Sequence, residues 1–374
     1  MDITPFGVEQ WMNKWETRCA INLAETCVAS LTIEELLRLA GKTQAMPSDL
    51  AKMKMTYGDI PGSEALRSSV AALYAGQKAE NVMITHGTIG ANALIYQTLI
   101  SRGDKVVSIT PTYQQHTAIP ESIGADLHTL PLLSEDGYLP DLNRLEQMVG
   151  TDTTLITLTN PNNPTGAVID RAGLERIAEI ARSSSAWVLC DEVYRGTEQT
   201  GEGPGASIAD HYEKGISTGS TSKAFSLAGL RLGWIVGPHS LMHDVEIHRD
   251  YNTISVGVID DYFATMALDN AAAILKRSRQ ITRDNLNALD AWVQSEPLIS
   301  YVKPAGGTTA LLHYDLDIPS YDLCETLIRD TGVMLTPGSV MGMEGGLRIG
   351  FANETQALID GLPRLSVWFS KYGA

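Results

Sequence analysis

The sequence predicts an α/β protein, with a large unit on a mostly parallel sheet joined to a smaller α+β unit. Three observations predict it. The 374 residues are enough for two such units. Short apolar runs alternate with longer amphipathic ones through the middle of the chain, the pattern of strands covered by helices. That alternation changes near Asn285, where strand and helix signals regroup.

Five runs read as buried strands: Val82–Thr85, Lys105–Ile109, Thr154–Leu158, Trp187–Cys190 and Gly233–Val236. Gly90–Ser101 and Arg171–Ser183 read as helices between them. A longer helical pattern around Asp250–Gln280 leads into the second unit. There Tyr301–Lys303 and Leu347–Phe351 read as strands and Ser320–Thr331 as a helix. Residues 1–48 are expected to pack with the small unit, 49–284 to form the large one and 285–374 the small one. Ligands of open α/β sheets bind outside the carboxyl ends of the strands, which places the expected site in the loops there.

Composition narrows the function. A chain 44% hydrophobic and 19% charged is ordinary for a soluble globular protein. Its formal net charge of −16 argues against nucleic acid and anionic membranes as partners. The four cysteines are scattered without a Cys-x-x-Cys pair, so no metal site and a reducing compartment are expected. The amino-terminal residues lack the basic start and apolar run of a secretory signal, and no stretch approaches the roughly 20 apolar residues of a membrane span. A cytoplasmic location is expected.

Several short motifs carry chemistry. Ser220-Thr221-Ser222-Lys223 puts two hydroxyls and an amine just before Gly229-Leu230-Arg231-Leu232-Gly233-Trp234. A lone lysine is ordinarily a solvated charge. Here, however, the planar guanidinium of Arg231 suits phosphate oxygens. A phosphate anchored by Ser220, Ser222 and Arg231 would bring an aldehyde within reach of Lys223. Thr85-His86-Gly87-Thr88 follows a strand and opens a helix, so the N–H groups of Gly87, Thr88 and Ile89 suit an anion. His86 reads as packed or solvent-facing. Asn160–Gly166 (NPNNPTG) has turn composition. Asp191 ends the apolar run WVLCD, where a carboxylate needs a partner. Tyr113 follows another strand and could be core. Arg348, between apolar neighbours, reads as buried with a purpose.

Ser-x-Ser-Lys with arginine eight residues on, the NPNNPTG loop and Asp191-Glu192-Val193-Tyr194 resemble class I/II pyridoxal-phosphate-dependent aminotransferases, in that family's order from about Tyr57 to Phe351. The resemblance implies the type I fold with a seven-stranded sheet, pyridoxal 5'-phosphate as cofactor and a homodimer. It implies that Lys223 holds the cofactor as a Schiff base and shuttles the substrate proton. Ser220, Ser222 and Arg231, with Gly87, Thr88 and Ile89, would grip the phosphate. Asp191 would face the pyridine nitrogen, Asn163 and Tyr194 the phenolate oxygen, and Tyr113 the ring. Tyr57 would reach the neighbouring subunit's phosphate, and Arg348 would clamp the substrate α-carboxylate. The implied reaction moves an amino group from an L-amino acid to a 2-keto acid.

One segment departs from the family. Ile21–Cys27 (INLAETC) places Glu25 where members have a glycine-containing stretch. Glu25 reads as a solvated charge or as the partner of a cationic substrate side chain. Thr85-His86-Gly87, Gly229–Trp234 and Arg249-Asp250-Tyr251 are also similar to capreomycidine synthase, a cyclase acting on an arginine derivative. A cyclase, oxidase or lyase acting on an arginine-like amino acid is therefore the alternative. A cofactor-binding regulator would need a basic DNA-binding segment, for which the roughly fifty residues before Tyr57 are too few in a chain that is acidic.

Overall fold

Seven strands make the central sheet, six of them buried on both faces and one, at an edge, largely exposed. In the computed structural model, which describes residues 2–42 and 46–372, they are β1 (Val82–Thr85), β2 (Lys105–Thr110), β3 (Asp126–Pro131), β4 (Thr153–Thr159), β5 (Trp187–Asp191), β6 (Gly215–Ser220) and β7 (Gly233–Val236). Their spatial order is β1-β7-β6-β5-β4-β2-β3. β7 alone runs antiparallel to its neighbours. The parallel majority aligns its carboxyl ends along one edge, the position expected for a ligand.

Two of these strands escape the sequence reading for a physical reason. β6 is Gly-Ile-Ser-Thr-Gly-Ser, small and hydroxylic, yet every residue is buried. β3 is largely exposed and lacks an unbroken apolar run. Polar residues extend β2, β4 and β5 by one position to Thr110, Thr159 and Asp191. The Asp250–Gln280 pattern also divides. Residues 250–257 are irregular and Ile254 has φ 56°. A helix then spans Val258–Asp269, and a second spans Ala271–Ser295, past residue 285.

A four-stranded antiparallel sheet follows: β8 (Ile299–Tyr301), β9 (Thr309–Tyr314), β10 (Thr336–Pro337) and β11 (Gly346–Gly350), in the order β10-β11-β9-β8. Its core takes residues from the start of the chain. Trp11 of helix α1 (Gly7–Trp15), Leu23 and Val28 pack with Leu327, Leu347, Phe351 and Trp368. Trp11 Nε1 donates to Leu335 O at 2.8 Å.

The stretch after α1 threads between the two sheets. Gly350 N donates to Leu23 O at 2.7 Å, Val28 N to Lys223 O at 3.3 Å and Leu31 N to Ser226 O at 2.9 Å. The passage is tight: a Cβ on Gly350 would lie 1.8 Å from Glu25 O. Gly350→Ala is therefore expected to cost more than about 2 kcal/mol, because backbone must move on one side or the other. A fall in thermal midpoint checks this, and an unchanged midpoint would refute it.

Candidate active site

The polar strand ends converge on one cavity of about 450 Å³ at the carboxyl edge of the sheet. Its floor is Asp191, the last residue of β5, only 3% exposed. Asn92 Nδ2 donates to Asp191 Oδ2 at 2.9 Å and Val193 N to Oδ1 at 3.1 Å. His116 Nε2 stands 3.6 Å from the same Oδ2 with no hydrogen-bond partner of its own. The other ring nitrogen of His116 meets Tyr96 and Thr157, each at 2.8 Å. Asn92 Oδ1 in turn accepts from Thr218 of β6 at 2.7 Å. A buried carboxylate held this way keeps its orientation without a full ionic partner.

Asn92 and His116 were not legible in the sequence. Each is one polar residue in a helix, and only the fold turns it toward Asp191. Glu192, the next residue, points elsewhere: Ser207, Ser217 and Ile208 N donate to it, and burial raises its pKa.

One end of the cavity is a cradle for an anion. Helix α2 (Gly87–Leu99) starts there, with Gly87, Thr88 and Ile89 on the wall. Thr88 Oγ1 is buried without a partner. Ser220 ends β6, and its register partner is Gly233, which also faces Thr85 of β1. A Cβ on Gly233 would lie 2.3 Å from Gly87 C, so glycine is what lets α2 begin against β7. Arg231, just before β7, holds φ 52°, a left-handed value uncommon outside glycine. A Cβ on Gly87 would lie 3.2 Å from its Nη2. Strain at Arg231 is consistent with a guanidinium aimed at a ligand.

Lys223 stands between cradle and floor, partly buried. Its Nζ donates to Thr26 Oγ1 at 2.7 Å and to Cys27 Sγ at 3.4 Å, and lies 4.0 Å from Glu25 Oε1. Burial disfavours its ammonium, but Cys27, Tyr194 and Glu25 outweigh that and raise its pKa. Burial lifts the Cys27 thiol to about 11. Glu25 is shaped by its own loop, since Oε1 accepts from Thr26 N at 2.7 Å and Cys27 N at 2.8 Å. Burial opposes its ionisation, yet Lys223 and these donors hold its pKa below the usual range.

Tyr113, Asn163, Tyr194 and Arg348 complete the walls. The turn around Asn163 is fixed by Asn160, bonded to Ile169, and by Asn162, bonded to Thr165. Asn163 is thereby left to face the cavity. Arg348 on β11 is 3% exposed; its donors reach Asn163 Oδ1, Ala24 O and Thr336 Oγ1 at 3.2–3.4 Å, and Nε has no partner. Burial lowers its pKa. A second hollow of about 380 Å³ continues past Tyr113, Asn163 and Arg348.

Every site residue expected from the sequence lines the first cavity except Tyr57, which is 84% exposed. Glu9 and Glu16, from α1 and its end, and Thr26 are among the wall residues that were not foreseen. Among the described residues no group of three or more His, Cys, Asp or Glu side chains could hold a metal, and no helix is long and apolar enough to cross a membrane.

Comparison with known proteins gives this geometry a context. The family model described as aminotransferase class I and II matches residues 28–363. Capreomycidine synthase of Streptomyces vinaceus is 31% identical over 360 residues, covering 96% of this chain and 92% of that protein. A PLP-dependent aminotransferase structure from Streptococcus suis superposes with a TM-score of 0.96 at 41% identity, over the whole of both chains. The PLP-dependent cyclase OrfR superposes with a TM-score of 0.92 at 26% identity, over 100% of this chain and 99% of that one.

Proposed function

We propose, on the premise that this chain belongs to the class I and II aminotransferase family, that it transfers the amino group of an L-amino acid to a 2-keto acid. It has the type I fold of that family and uses pyridoxal 5'-phosphate. The residues present fit that group. The cradle with its unpartnered Thr88 hydroxyl suits a phosphate, Asp191 a basic ring nitrogen and Lys223 an aldehyde. When bound, the cofactor supplies a carbonyl for amines and a sink for the electrons of the substrate α-carbon.

In this reading Gly87, Thr88, Ile89, Ser220, Ser222 and Arg231 hold the phosphate. Asp191 keeps a proton on the ring nitrogen, while Asn163 and Tyr194 hydrogen-bond the phenolate oxygen and Tyr113 covers the ring. Lys223 Nζ would carry the covalent attachment and would serve as the base for the substrate α-proton. Arg348 binds the α-carboxylate and thereby fixes which hydrogen faces Lys223. Convergence of Lys223, buried Asp191 and Arg348 on one cavity is the observation that carries the reading.

Tyr57 lies outside its own chain's cavity with Met55 and Tyr251 also turned outward, at 72% and 93% exposure. These exposures support a homodimer in which Tyr57 serves the neighbouring site.

A second reading is a cyclase, oxidase or lyase on an arginine-like substrate, favoured by the likeness to capreomycidine synthase and by Glu25 beside Lys223. One single-turnover experiment separates the two. Amino acids are mixed with the loaded protein, and conversion of the cofactor to its amine form is scored apart from ammonia, peroxide and cyclised products. Aminotransfer requires stoichiometric amine-form cofactor and keto acid. Cyclised or deaminated product without it would refute the first reading.

A further inference from the structure

The cavity carries more negative charge than the reading above uses. Besides Asp191, three carboxylates line it: Glu9 and Glu16, from α1 and its end, and Glu25 from the loop beyond. Its cations are already committed, Lys223 and Arg231 to the cofactor and Arg348 to the substrate carboxylate. Glu9 accepts a hydrogen bond from the neutral phenol of Tyr113 at 3.0 Å. Partial desolvation of Glu16, and then the charges of Glu25 and Glu9, raise the Glu16 pKa, with Lys223 opposing them, so these acids feel one another. Glu25 differs, because its Oε1 caps its own loop and lies 4.0 Å from Lys223.

The helix orders this charge around apolar surface. Val8, Glu9, Met12 and Glu16 all reach the cavity. A helix rises about 1.5 Å per residue, which sets Glu9 and Glu16 roughly 10 Å apart along α1 with Met12 between them. Val8 and Met12 suit an aliphatic stem; the carboxylates suit a cation at its end. Buried donors without partners mark the cavity these acids line as one built to hold a ligand. Arg348, 3% exposed, lines the same cavity with Nε unpartnered, and Thr88 Oγ1 is buried and unpartnered in it as well.

We propose that the cavity selects an amino acid whose long aliphatic side chain ends in a cation, read by Glu9 and Glu16. This rests on the amino-acid reading of the site given above. Arg348 neutralises the α-carboxylate, and the two glutamates neutralise the far end of the same molecule. An amino acid with an uncharged side chain would leave both acids without a cation, Glu9 with only the Tyr113 phenol.

Binding to the cofactor-loaded Lys223→Ala protein tests this apart from turnover. By calorimetry, L-arginine is expected to bind about tenfold or more tightly than L-citrulline, which has nearly the same shape but no charge. Glu9→Gln/Glu16→Gln in the same background should bring the two ligands within roughly twofold, since only the charge is removed. Glutamine keeps an acceptor for Tyr113 and Glu16 is exposed, so folding is not at stake. In protein retaining Lys223, the double variant should lower the kcat/KM ratio of arginine to norleucine by a similar factor. Equal binding of arginine and citrulline would overturn the proposal. So would a preference that survives the double variant and disappears in Glu25→Gln. Absorbance of the wild-type cofactor decides the parent reading separately: no response to any amino acid would sink aminotransfer, while the calorimetric comparison would still decide this proposal.

Discussion

Lys223→Ala is expected to lower turnover by roughly a thousandfold or more, the upper part of the range for losing a positioned proton carrier. The cofactor should stay bound, because the cradle of Thr88, Ser220 and Arg231 and the Asp191 floor are untouched. Borohydride should fix the cofactor to Lys223 in wild-type protein and leave no adduct in the variant. An adduct on another lysine would refute the assignment. The same variant tests the homodimer. Mixed with Tyr57→Phe subunits it should recover part of the lost activity, since one site of each mixed dimer then carries neither defect. No recovery despite proven subunit exchange would count against a shared site.

Asp191→Ala is expected to reduce kcat by about a hundredfold or more, with a smaller loss in KM, because the carboxylate acts on the reacting ring and does not touch the amino acid. The absorbance of the bound cofactor should move with it, a change that loss of stability alone would not produce. Asn92 and His116 should act through Asp191. Replacing Asn92 by alanine leaves Oδ2 with His116 at 3.6 Å, so a partial spectral shift and a smaller loss are expected. A full-size effect at Asn92 with an unmoved spectrum would assign it a packing role.

What was legible in the sequence follows from how local each signal is. Ser220 to Arg231 and Asn160 to Gly166 are contiguous, and their turns place neighbouring residues together whatever the rest of the chain does. Strands β1, β2, β4, β5 and β7 announce themselves through apolar runs. β6 does not, because its place between β5 and β7 favours small residues; Gly219 has the Trp234 ring so close that a Cβ would lie 2.7 Å from Nε1. Glu9, Glu16, Asn92 and His116 were invisible for another reason. Each is a single polar residue in a helix or at its end, and periodicity tells which face it shares but not what that face meets. Glu25 was singled out as unusual, but its loop-capping oxygen emerges only from the geometry.

The threading of the first thirty residues between the sheets has an evolutionary consequence. The reacting groups stand on strand ends near the middle of the chain, whereas the helix facing the far end of the cavity belongs to a separate, early stretch. Mutations that retune which molecule is accepted can therefore accumulate at the amino end while the chemical machinery stays constant. The stretch is not wholly free to drift. Its backbone presses on Gly350 and bonds to the Lys223 loop, so side chains that face the cavity, such as Glu9 and Glu16, are where change is expected to cost folding least. Changes in which molecule is accepted are thus expected at a few side chains of one helix, beside a backbone passage held tightly at Gly350.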